Sequence, residues 1–343
     1  MSVKLPGTIA KVACGNDYTI YVLNDGTAYG GGSNIRGQLG LGHTKSPIAI
    51  TKINISNVKD VTCAMQTTIF TLKDGTVWGC GKNRNGLLGS DDTATPVKIN
   101  ISNVKTVARE DYTSTFFLLN DGTVYEYYNN AFTKLNISNV KDIAAGAHQI
   151  ALILNDGTVY TYGDASSKID PVKVNLANVK SAACGAGYEV FLLNDGTVYG
   201  LGTNSDGELG LGSVSSVSVP TKINISSVKN ISAYQYDTVF TLNDGSVYSC
   251  GMNNGSEIPE ATGNVTTPTK INISNVKETI LGNFHTIFLM NDDSVYGCSG
   301  LNGILGIGET SAISTPTLII EKPEVLGVCN SAIMTGIFGF HTH

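Results

Sequence analysis

The sequence predicts an all-β protein, a closed β-propeller of seven blades with four antiparallel strands in each blade. The main observation is a phrase of the type N-D-G-T-V-Y. It occurs seven times, beginning at Asn24, Lys73, Asn120, Asn155, Asn194, Asn243 and Asn291. By subtraction of these positions, successive copies lie 49, 47, 35, 39, 49 and 48 residues apart. Repeats of roughly 40 to 50 residues are typical of propeller blades.

A second phrase and the composition favour the same fold. The phrase K-I-N-I-S-N-V-K begins at Lys52 and Lys98, and it returns with small changes at Lys134, Lys173, Lys222 and Lys270. Charged residues make up only 15% of the 343 residues, and the chain contains 39 glycines. This composition suits many short strands joined by tight turns.

The second repeat shows how four strands follow one another. Strands are predicted over 58–63, 68–72, 76–80 and 97–101, the last entered through Pro96. The Asp-Gly pair at 74–75 supplies the positive φ angles that a tight hairpin between the second and third strands requires. Such units bury their apolar faces only against their neighbours, so the ring must close.

The repeats also set the predicted domain boundaries. Residues 1–322 are predicted to form the seven-bladed propeller. Residues 323–343 resemble the first two strands of another repeat. They form either ring-closing strands, a truncated extra unit or a C-terminal tail, and the sequence leaves these alternatives open.

One repeat carries a family resemblance. The pattern C-G-x-x-Y-T-x-x-x-L-x-D-G-T-x-Y-G-x-G-x-N-x-x-G-Q-L-G-L-G over 14–42 resembles the repeat of the regulator of chromosome condensation propellers, in a form expected of bacterial or phage relatives. The piece N-x-x-G-x-L-G recurs at 83–89 and 204–210, and in eroded form at 253–258 and 302–306. The resemblance implies a seven-bladed propeller. Its members include guanine-nucleotide exchange factors that also dock on chromatin, and secreted bacterial propellers that inhibit β-lactamases.

Strand order predicts which face of the ring binds a partner. In a four-stranded meander, the strand 1–2 and strand 3–4 connections lie on one face, here called the loop face. The Asn-Asp-Gly turns and the Ile-Ser-Asn-Val links between blades lie on the opposite turn face. The turn face repeats almost copy for copy, whereas the loop face varies and carries aromatic and charged residues of the kinds enriched in binding sites. The candidate binding residues are Tyr18, Arg36, Arg84, Tyr112, Tyr188, Asp206, Glu208, Tyr234, Tyr236, Phe284 and His285.

Two features of the loop face leave alternatives open. Tyr18, Tyr188 and His285 occupy one recurring position, so these side chains either bind a ligand or brace the loops. Repeats 3 and 4 are predicted to lack the long strand 3–4 loop, because 125–130 and 160–164 run almost directly into the next strand. The resulting gap either admits a partner, marks a subunit contact or reflects drift in a tolerant loop.

Charge and cysteine content limit the partners and the compartment. The formal net charge is −6, and no cluster of Lys and Arg occurs, which argues against binding to nucleic acid. No signal peptide and no apolar run of about 18 residues is found, so we expect a protein made in the cytoplasm without membrane insertion. The seven Cys include no C-x-x-C pair. They are interpreted as small buried apolar residues rather than as disulfide or metal ligands.

The sequence contains no pattern typical of catalysis. It has no G-x-S-x-G and no G-x-x-x-x-G-K-[ST], and its paired carboxylates fall at turns. We therefore expect no enzymatic activity and no cofactor. A metal site at His341 and His343 is the alternative to a free C-terminal tail.

The predicted function is that of a non-catalytic binding or structural propeller that recognises a protein or a cell-surface glycan through its loop face. A phage tail or baseplate component, carried in the virion for receptor binding and host attachment, combines surface recognition with the absence of a signal peptide. An intracellular scaffold or inhibitor within a larger assembly is the competing hypothesis. A guanine-nucleotide exchange factor for a small GTPase is a further alternative.

Overall fold

A computed structural model describes residues 2–110, 114–147, 149–163, 170–212, 215–252, 263–309 and 311–323. Its strands form seven sheets of four antiparallel strands each, and no helix occurs in these residues. The predicted seven-bladed, all-β propeller is confirmed. No segment of the described chain forms a helix suited to crossing a membrane.

Each blade is built from four consecutive strands, so the chain completes one blade before it begins the next. Blade 1 contains β1 (Ile9–Cys14), β2 (Tyr18–Leu23), β3 (Ala28–Gly32) and β4 (Thr51–Lys52); blade 2 contains β5 (Val58–Ala64), β6 (Thr67–Leu72), β7 (Val77–Gly81) and β8 (Thr93–Ile99). Blade 3 contains β9 (Val104–Arg109), β10 (Thr115–Leu119), β11 (Val124–Tyr128) and β12 (Ala131–Lys134); blade 4 contains β13 (Val140–Ala145), β14 (Ile150–Leu154), β15 (Val159–Tyr162) and β16 (Val172–Val174). Blade 5 contains β17 (Val179–Cys184), β18 (Tyr188–Leu193), β19 (Val198–Thr203) and β20 (Ser216–Lys222); blade 6 contains β21 (Val228–Tyr234), β22 (Asp237–Leu242), β23 (Val247–Gly251) and β24 (Val265–Ile271). Blade 7 contains β25 (Val276–Leu281), β26 (His285–Met290), β27 (Val295–Ser299) and β28 (Ile313–Ile320).

The first strand of each blade contacts the first strand of the next, and β25 of blade 7 contacts β1 of blade 1, so the ring is closed. The N-terminal segment adds to this closure. The Val3 amide donates to the Ile319 carbonyl at 2.8 Å, and the Glu321 amide donates to the Val3 carbonyl at 3.0 Å. The N-terminus thus joins the outer strand of blade 7 before the chain enters blade 1. The predicted extra strands lie almost entirely within 324–343, outside the described residues, and stay a prediction.

The hydrophobic core lies between adjacent blades rather than inside any one of them. In one such interface Tyr18 and Ile20 of blade 1 pack with Phe70 of blade 2, all fully buried. Similar clusters of buried side chains fill the other interfaces. Burial of apolar surface between neighbours is the main force that holds a ring of repeats together.

The turn face is uniform because one local structure recurs in every blade. In blade 1, Oδ1 of Asp25 accepts hydrogen bonds from the Thr27 amide at 2.8 Å and from its hydroxyl at 2.7 Å. These bonds hold the pKa of Asp25 below its ordinary value. Gly26 has a φ of 88°, and a Cβ there would lie 3.0 Å from Cα of Asn57 in the link to blade 2. A side chain has no room at this turn, which explains the repeated Asp-Gly.

The strand boundaries in blades 2 and 3 follow the sequence closely. In blade 2 the fourth strand begins at Thr93, earlier than the predicted start at 97, and Pro96 lies inside it. Because β8 is the outer strand of its sheet, no strand pairs with it on one side. The missing amide hydrogen of Pro96 therefore costs no hydrogen bond on that side. In blade 3, Asn129 and Asn130 have φ of 47° and 61° and form a tight turn between β11 and β12. The predicted lack of a long loop in blade 3 is confirmed.

The corresponding prediction for blade 4 is wrong. Its fourth strand begins at Val172, so residues 163–171 separate β15 from β16. The sequence of this connection, G-D-A-S-S-K-I-D-P, lacks the N-x-x-G-x-L-G piece. Blade 4 therefore has a connection of intermediate length without the loop motif of blades 1, 2 and 5.

Candidate functional site

The loop face surrounds one opening of the central channel. A cavity of about 280 Å³ lies there, and the last residues of the innermost strands of blades 2 to 6 line it, including Arg109 and Tyr234. The Tyr234 hydroxyl donates to Oδ1 of Asn16 in blade 1 at 2.9 Å. Main-chain hydrogen bonds also join neighbouring loops, as from the Ala186 amide to the Gln235 carbonyl at 2.6 Å. The rim of the channel is therefore cross-linked from blade to blade.

Two of the predicted binding tyrosines are internal braces. Tyr18 and Tyr188 are both fully buried. The Tyr18 hydroxyl donates to the Thr67 carbonyl at 2.7 Å, and the Tyr188 hydroxyl donates to the Asp237 carbonyl at 2.6 Å. Each ring lies in the interface with the next blade, where no ligand reaches it. The assignment of these two residues to ligand contact is corrected, and the bracing alternative is the one that the geometry supports.

His285 fills the same position in blade 7 and is likewise fully buried. Its Nε2 lies 2.9 Å from the Thr19 hydroxyl of blade 1, so it joins the two blades at which the ring closes. Burial lowers the pKa of this imidazole to about 4, which keeps it neutral at physiological pH. A glycine precedes each brace: a Cβ at Gly15, Gly185 or Gly282 would overlap the ring of Tyr18, Tyr188 or His285. His285 is therefore also corrected from a binding to a structural residue.

The long loop of blade 5 is fixed from within. Asn204 Oδ1 accepts the Leu209 amide at 2.8 Å, and Glu208 Oε2 accepts the Asp206 amide at 2.9 Å. The Glu208 carbonyl accepts the Thr238 hydroxyl of blade 6 at 2.6 Å. Only 2% of Glu208 is exposed, so its role as a binding residue is corrected as well. Gln38 in blade 1 makes the equivalent contacts.

The remaining predicted residues are more accessible. Tyr236 and Arg84 are exposed, whereas Phe284, Asp206 and Tyr234 are half-buried. Arg36 approaches Asp92 at 3.9 Å with both side chains at least 40% exposed, an ion pair that contributes little to stability. Tyr234 and Arg109 share the channel cavity, while the others are distributed along the loops. Tyr112 lies outside the described residues, and its assignment stays a prediction.

Acidic side chains gather where blades 3 and 4 lack the long loop motif. The Tyr162 hydroxyl donates to Glu126 Oε2 at 3.0 Å, and the Ser114 hydroxyl donates to Glu126 Oε1 at 2.6 Å. Burial raises the pKa of Tyr162, and the charges of Glu126, Glu110 and Asp170 raise it further. Of these three carboxylates, Glu126 bonds to the phenol directly, while Glu110 and Asp170 act on it through their charge; Glu110 and Glu126 are buried.

A second cavity lies beside this group, between blades 4 and 5. It has a volume of about 390 Å³, and its lining includes Gln149, Tyr162, Asp170, Val172 and Glu189. Val172 is 60% exposed, which places the rim of the cavity at the molecular surface. Glu189 is only 4% exposed, and its Oε1 has no hydrogen-bond partner. Burial raises the pKa of this carboxyl to about 8.

The comparisons with known proteins identify the repeat. Residues 195–234 match the family model described as Regulator of chromosome condensation (RCC1) repeat. The chain contains an RCC1 repeat. The matched segment runs from the Asn-Asp-Gly turn of blade 5 to the end of β21 in blade 6, and the same pattern recurs around the ring. No curated protein sequence matches this chain.

Solved structures share the fold of this propeller. Prp20p from Saccharomyces cerevisiae has a TM-score of 0.78 at 20% identity, covering 88% of this chain and 87% of that chain. Yeast RCC1 (Prp20) bound to Kap60 has a TM-score of 0.75 at 18% identity, covering 91% and 85%. Human WBSCR16 has a TM-score of 0.73 at 19% identity, covering 84% and 89%. Identities this low show likeness of fold.

The cysteines of this propeller are suited to packing rather than to chemistry. The six within the described residues are free thiols, and all except the half-buried Cys63 are buried. Burial raises the pKa of Cys63 to about 12 and that of the others for which a shift is resolved still further. These thiols stay protonated and are therefore poor nucleophiles. Among the described residues, no group of three His, Cys, Asp or Glu is arranged to hold a metal ion.

The sequence interpretation missed the residues around Glu126 and the cavity beside Glu189. Glu126 and Asp170 are separated in sequence and give no motif. Glu189 did leave a signal, because it replaces a threonine that the repeat otherwise prefers. By strand pairing, Glu189 opposite Cys184 corresponds to Thr68 opposite Cys63. The same column holds Thr19, Thr238 and Thr286.

Proposed function

We propose that this propeller, which contains an RCC1 repeat, is a non-catalytic binding module that engages a protein partner through its loop face. The observation that carries the proposal is the contrast between the two faces of the ring: the loop face varies from blade to blade and carries exposed side chains such as Tyr236, Arg84 and Asp170, whereas the turn face repeats one local structure. Exposed tyrosine and arginine side chains are of the kinds enriched where proteins bind one another.

The structure of the ring supports this choice of face. The turn face repeats one hydrogen-bonded turn, with Asp25 and its counterparts bonded to the following Thr or Ser. The loop face, by contrast, combines a cross-linked rim with exposed side chains such as Tyr236 and Arg84. Binding residues placed on variable loops of a rigid scaffold are the usual arrangement in such folds.

The comparisons support protein binding as a class. The structure of Prp20p is described with its binding properties to Gsp1p and histones, and yeast RCC1 (Prp20) is seen bound to Kap60. Guanine-nucleotide exchange on a small GTPase is the alternative function, supported by the likeness of fold alone at 20% identity. A place in a phage tail or virion, a cell-surface glycan as ligand and a scaffold or inhibitor role within a larger assembly remain proposals that rest on the sequence.

The test is affinity capture with the full chain, from source-cell lysate and on intact bacterial cells, followed by titration of each captured protein. A loop-face variant, Arg84→Ala with Tyr236→Ala, is compared with a turn-face variant, Lys52→Ala with Lys98→Ala; all four side chains are exposed. We expect the loop-face variant to lose at least tenfold in affinity and the turn-face variant to bind normally. The reverse pattern would overturn the proposal.

The same capture separates the alternatives. A GTPase that is recovered and then released by excess guanine nucleotide would favour the exchange factor over the proposed module. Recovery of tail proteins, together with peptides of this chain in purified particles, would favour the virion role. Binding to intact cells that survives protease treatment but not glycosidase treatment would make a glycan the ligand and contradict the proposed protein partner.

A further inference from the structure

Glu189 occupies a position where most other repeats have a threonine. In the two best-preserved interfaces, the threonine at this position donates to the loop of the preceding blade. The Thr68 hydroxyl donates to the Gln38 carbonyl at 2.6 Å, and the Thr238 hydroxyl donates to the Glu208 carbonyl at 2.6 Å. Glu189 instead faces blade 4, whose connection lacks the loop motif.

One oxygen of the Glu189 carboxyl, Oε1, is therefore buried without a hydrogen-bond partner. Its residue is 4% exposed, and no hydrogen bond reaches Oε1. A buried carboxylate without a donor is costly to keep ionised, and buried charges in proteins are normally paired. An unpaired carboxyl of this kind in the wall of an open cavity is a position where a ligand supplies the missing partner.

The cavity offers enough space and a suitable wall. Its volume of about 390 Å³ falls within the range of roughly 300 to 1,000 Å³ that small-molecule sites occupy. Asp170 lies in the same wall and provides a second carboxylate. The Tyr162 hydroxyl is already used on Glu126, and the Gln149 amide nitrogen donates to the Tyr188 carbonyl at 2.6 Å. Thr161 also lines the cavity, and among the described residues no side chain of this wall donates a hydrogen bond to Oε1 of Glu189.

We propose that the cavity between blades 4 and 5 binds a positively charged nitrogen group, a primary ammonium or a guanidinium, with Glu189 as the buried acceptor and Asp170 as the second carboxylate. Two sources present this chemistry: a free amine, and a Lys or Arg side chain of a protein. The side-chain source rests on the proposed function, whereas the free-amine source does not. Charge-assisted hydrogen bonds from such groups to carboxylates are among the strongest that proteins make.

Binding of a cation changes the protonation of Glu189. Burial raises the pKa of this carboxyl to about 8, so most of it is protonated at pH 7 before the ligand arrives. Among the described residues, the other titratable groups near it are Tyr162 and Asp170 in blade 4, and Cys184 on the neighbouring strand, whose pKa Glu189 helps to raise. The cation favours the carboxylate, and the displaced proton passes to the buffer. Affinity therefore rises with pH, by up to about tenfold per pH unit below the pKa.

The experiment is isothermal titration of the full chain with agmatine and with cadaverine at pH 6, 7 and 8. Each titration is repeated in two buffers of different ionisation enthalpy, which measures the protons released. We expect Kd to fall as the pH rises, with release of close to one proton per ligand at pH 7. Glu189→Gln should weaken binding at least tenfold and abolish proton release, while Glu278→Gln, on the innermost strand of blade 7, should change neither.

A second arm uses short peptides with one central Lys or Arg and matched peptides with norleucine instead. Tight binding of the free amines assigns the site to a small ligand, and binding of the basic peptides alone assigns it to a protein side chain; both support the proposal. No Glu189-dependent binding of either probe at millimolar concentration would overturn it, as would binding without proton release. The capture experiment with Arg84→Ala and Tyr236→Ala stays independent of this result, so the two proposals fail separately.

Discussion

Replacing Glu189 by Gln should change how the stability of the propeller depends on pH. The folded chain holds this carboxyl at a pKa of about 8, against an ordinary value of 4.5. Between these values, the folded protein keeps a proton that the unfolded chain has lost. The free energy of unfolding therefore falls as the pH rises, by about 1.4 kcal/mol per pH unit. Glutamine has nearly the same shape and does not ionise, so the stability of the variant should not fall with pH in this way.

The size of the effect follows from the same two values. From the ordinary pKa of 4.5 to pH 7 the folded protein is destabilised by about 3 kcal/mol, and the loss levels off near the folded pKa of about 8. The glutamine amide also lies in a wall that offers no partner to Oε1, which adds an offset of roughly 1 to 3 kcal/mol that does not vary with pH. The slope of the difference between the two proteins, rather than its absolute value, is the quantity that tests the reasoning.

The assay is urea unfolding of both proteins at pH 5, 6, 7 and 8, followed by the fluorescence of Trp78, the one tryptophan of the chain. Glu189→Gln should gain on the wild type by about 1 kcal/mol or more with each pH unit. Glu208→Gln serves as the matched control, because both of its carboxylate oxygens accept hydrogen bonds. Parallel curves for the wild type and Glu189→Gln would show that Glu189 ionises normally in the folded protein, and the account of the cavity would then be wrong.

Three further perturbations test the interfaces between blades. Tyr18→Phe and Tyr188→Phe should each lower the free energy of unfolding by about 1 to 2 kcal/mol, because each hydroxyl donates to a carbonyl of the next blade. The two losses should add in the double variant, since the two bonds lie in different interfaces. Tyr199→Phe, whose hydroxyl bonds to no described residue, should be nearly neutral in the same urea titration. Gly185→Ala should lower the thermal midpoint clearly because its Cβ overlaps the ring of Tyr188, whereas Gly7→Ala, with its nearest contact at 3.6 Å, should not; equal melting would contradict the packing. In the wild type, the free energy of unfolding should fall as the pH drops from 6.5 to about 4, because burial holds the pKa of His285 at about 4 and only the unfolded chain binds the proton in this range. His285→Gln should remove this fall. An unchanged fall in the variant would contradict the prediction.

The slopes expected from His285 and Glu189 have opposite signs. As the pH rises, stability is gained at His285 up to 6.5 and lost at Glu189 from 4.5 to about 8. Between 4.5 and 6.5 the two slopes nearly cancel in the wild type. A flat wild-type curve in that interval therefore agrees with both shifts. In that interval the stability of His285→Gln should fall with pH because of Glu189, and the stability of Glu189→Gln should rise with pH because of His285.

The sequence was sufficient for the architecture because the same phrases repeat at blade spacing. The Asn-Asp-Gly turn and the link with Asn57 are in contact in the structure, so each constrains the other in every copy. The direction of side chains at the loop ends was harder to predict. Tyr18, Tyr188, His285 and Glu208 resemble surface residues in type, yet they point between blades. Their recurrence at fixed positions was the sequence signal for a structural role.

The predicted gap was half right for a physical reason. Two Asn in left-handed conformations close the turn of blade 3, and the sequence Asn129-Asn130 indicates such a turn. In blade 4, Tyr160 to Asp164 looked similar, but β16 starts only at Val172. Nothing in a short stretch of polar residues fixes where the next strand begins, since that depends on pairing with β15.

The cavity beside Glu189 follows from the way neighbouring blades share hydrogen bonds. Where a blade has the loop motif, its backbone carbonyl accepts a threonine hydroxyl from the next blade, as Gln38 accepts from Thr68. A blade without that motif has no such carbonyl to offer, so the threonine position of the next blade can hold a different residue. After blade 3 the position holds Ile150, which is fully buried in an apolar cluster with Phe116. After blade 4 it holds Glu189, which lines the cavity between blades 4 and 5. Apolar packing satisfies the first interface within the chain, whereas an unpaired carboxyl leaves the second to be completed by a cation from outside, and for this reason the site lies between blades 4 and 5.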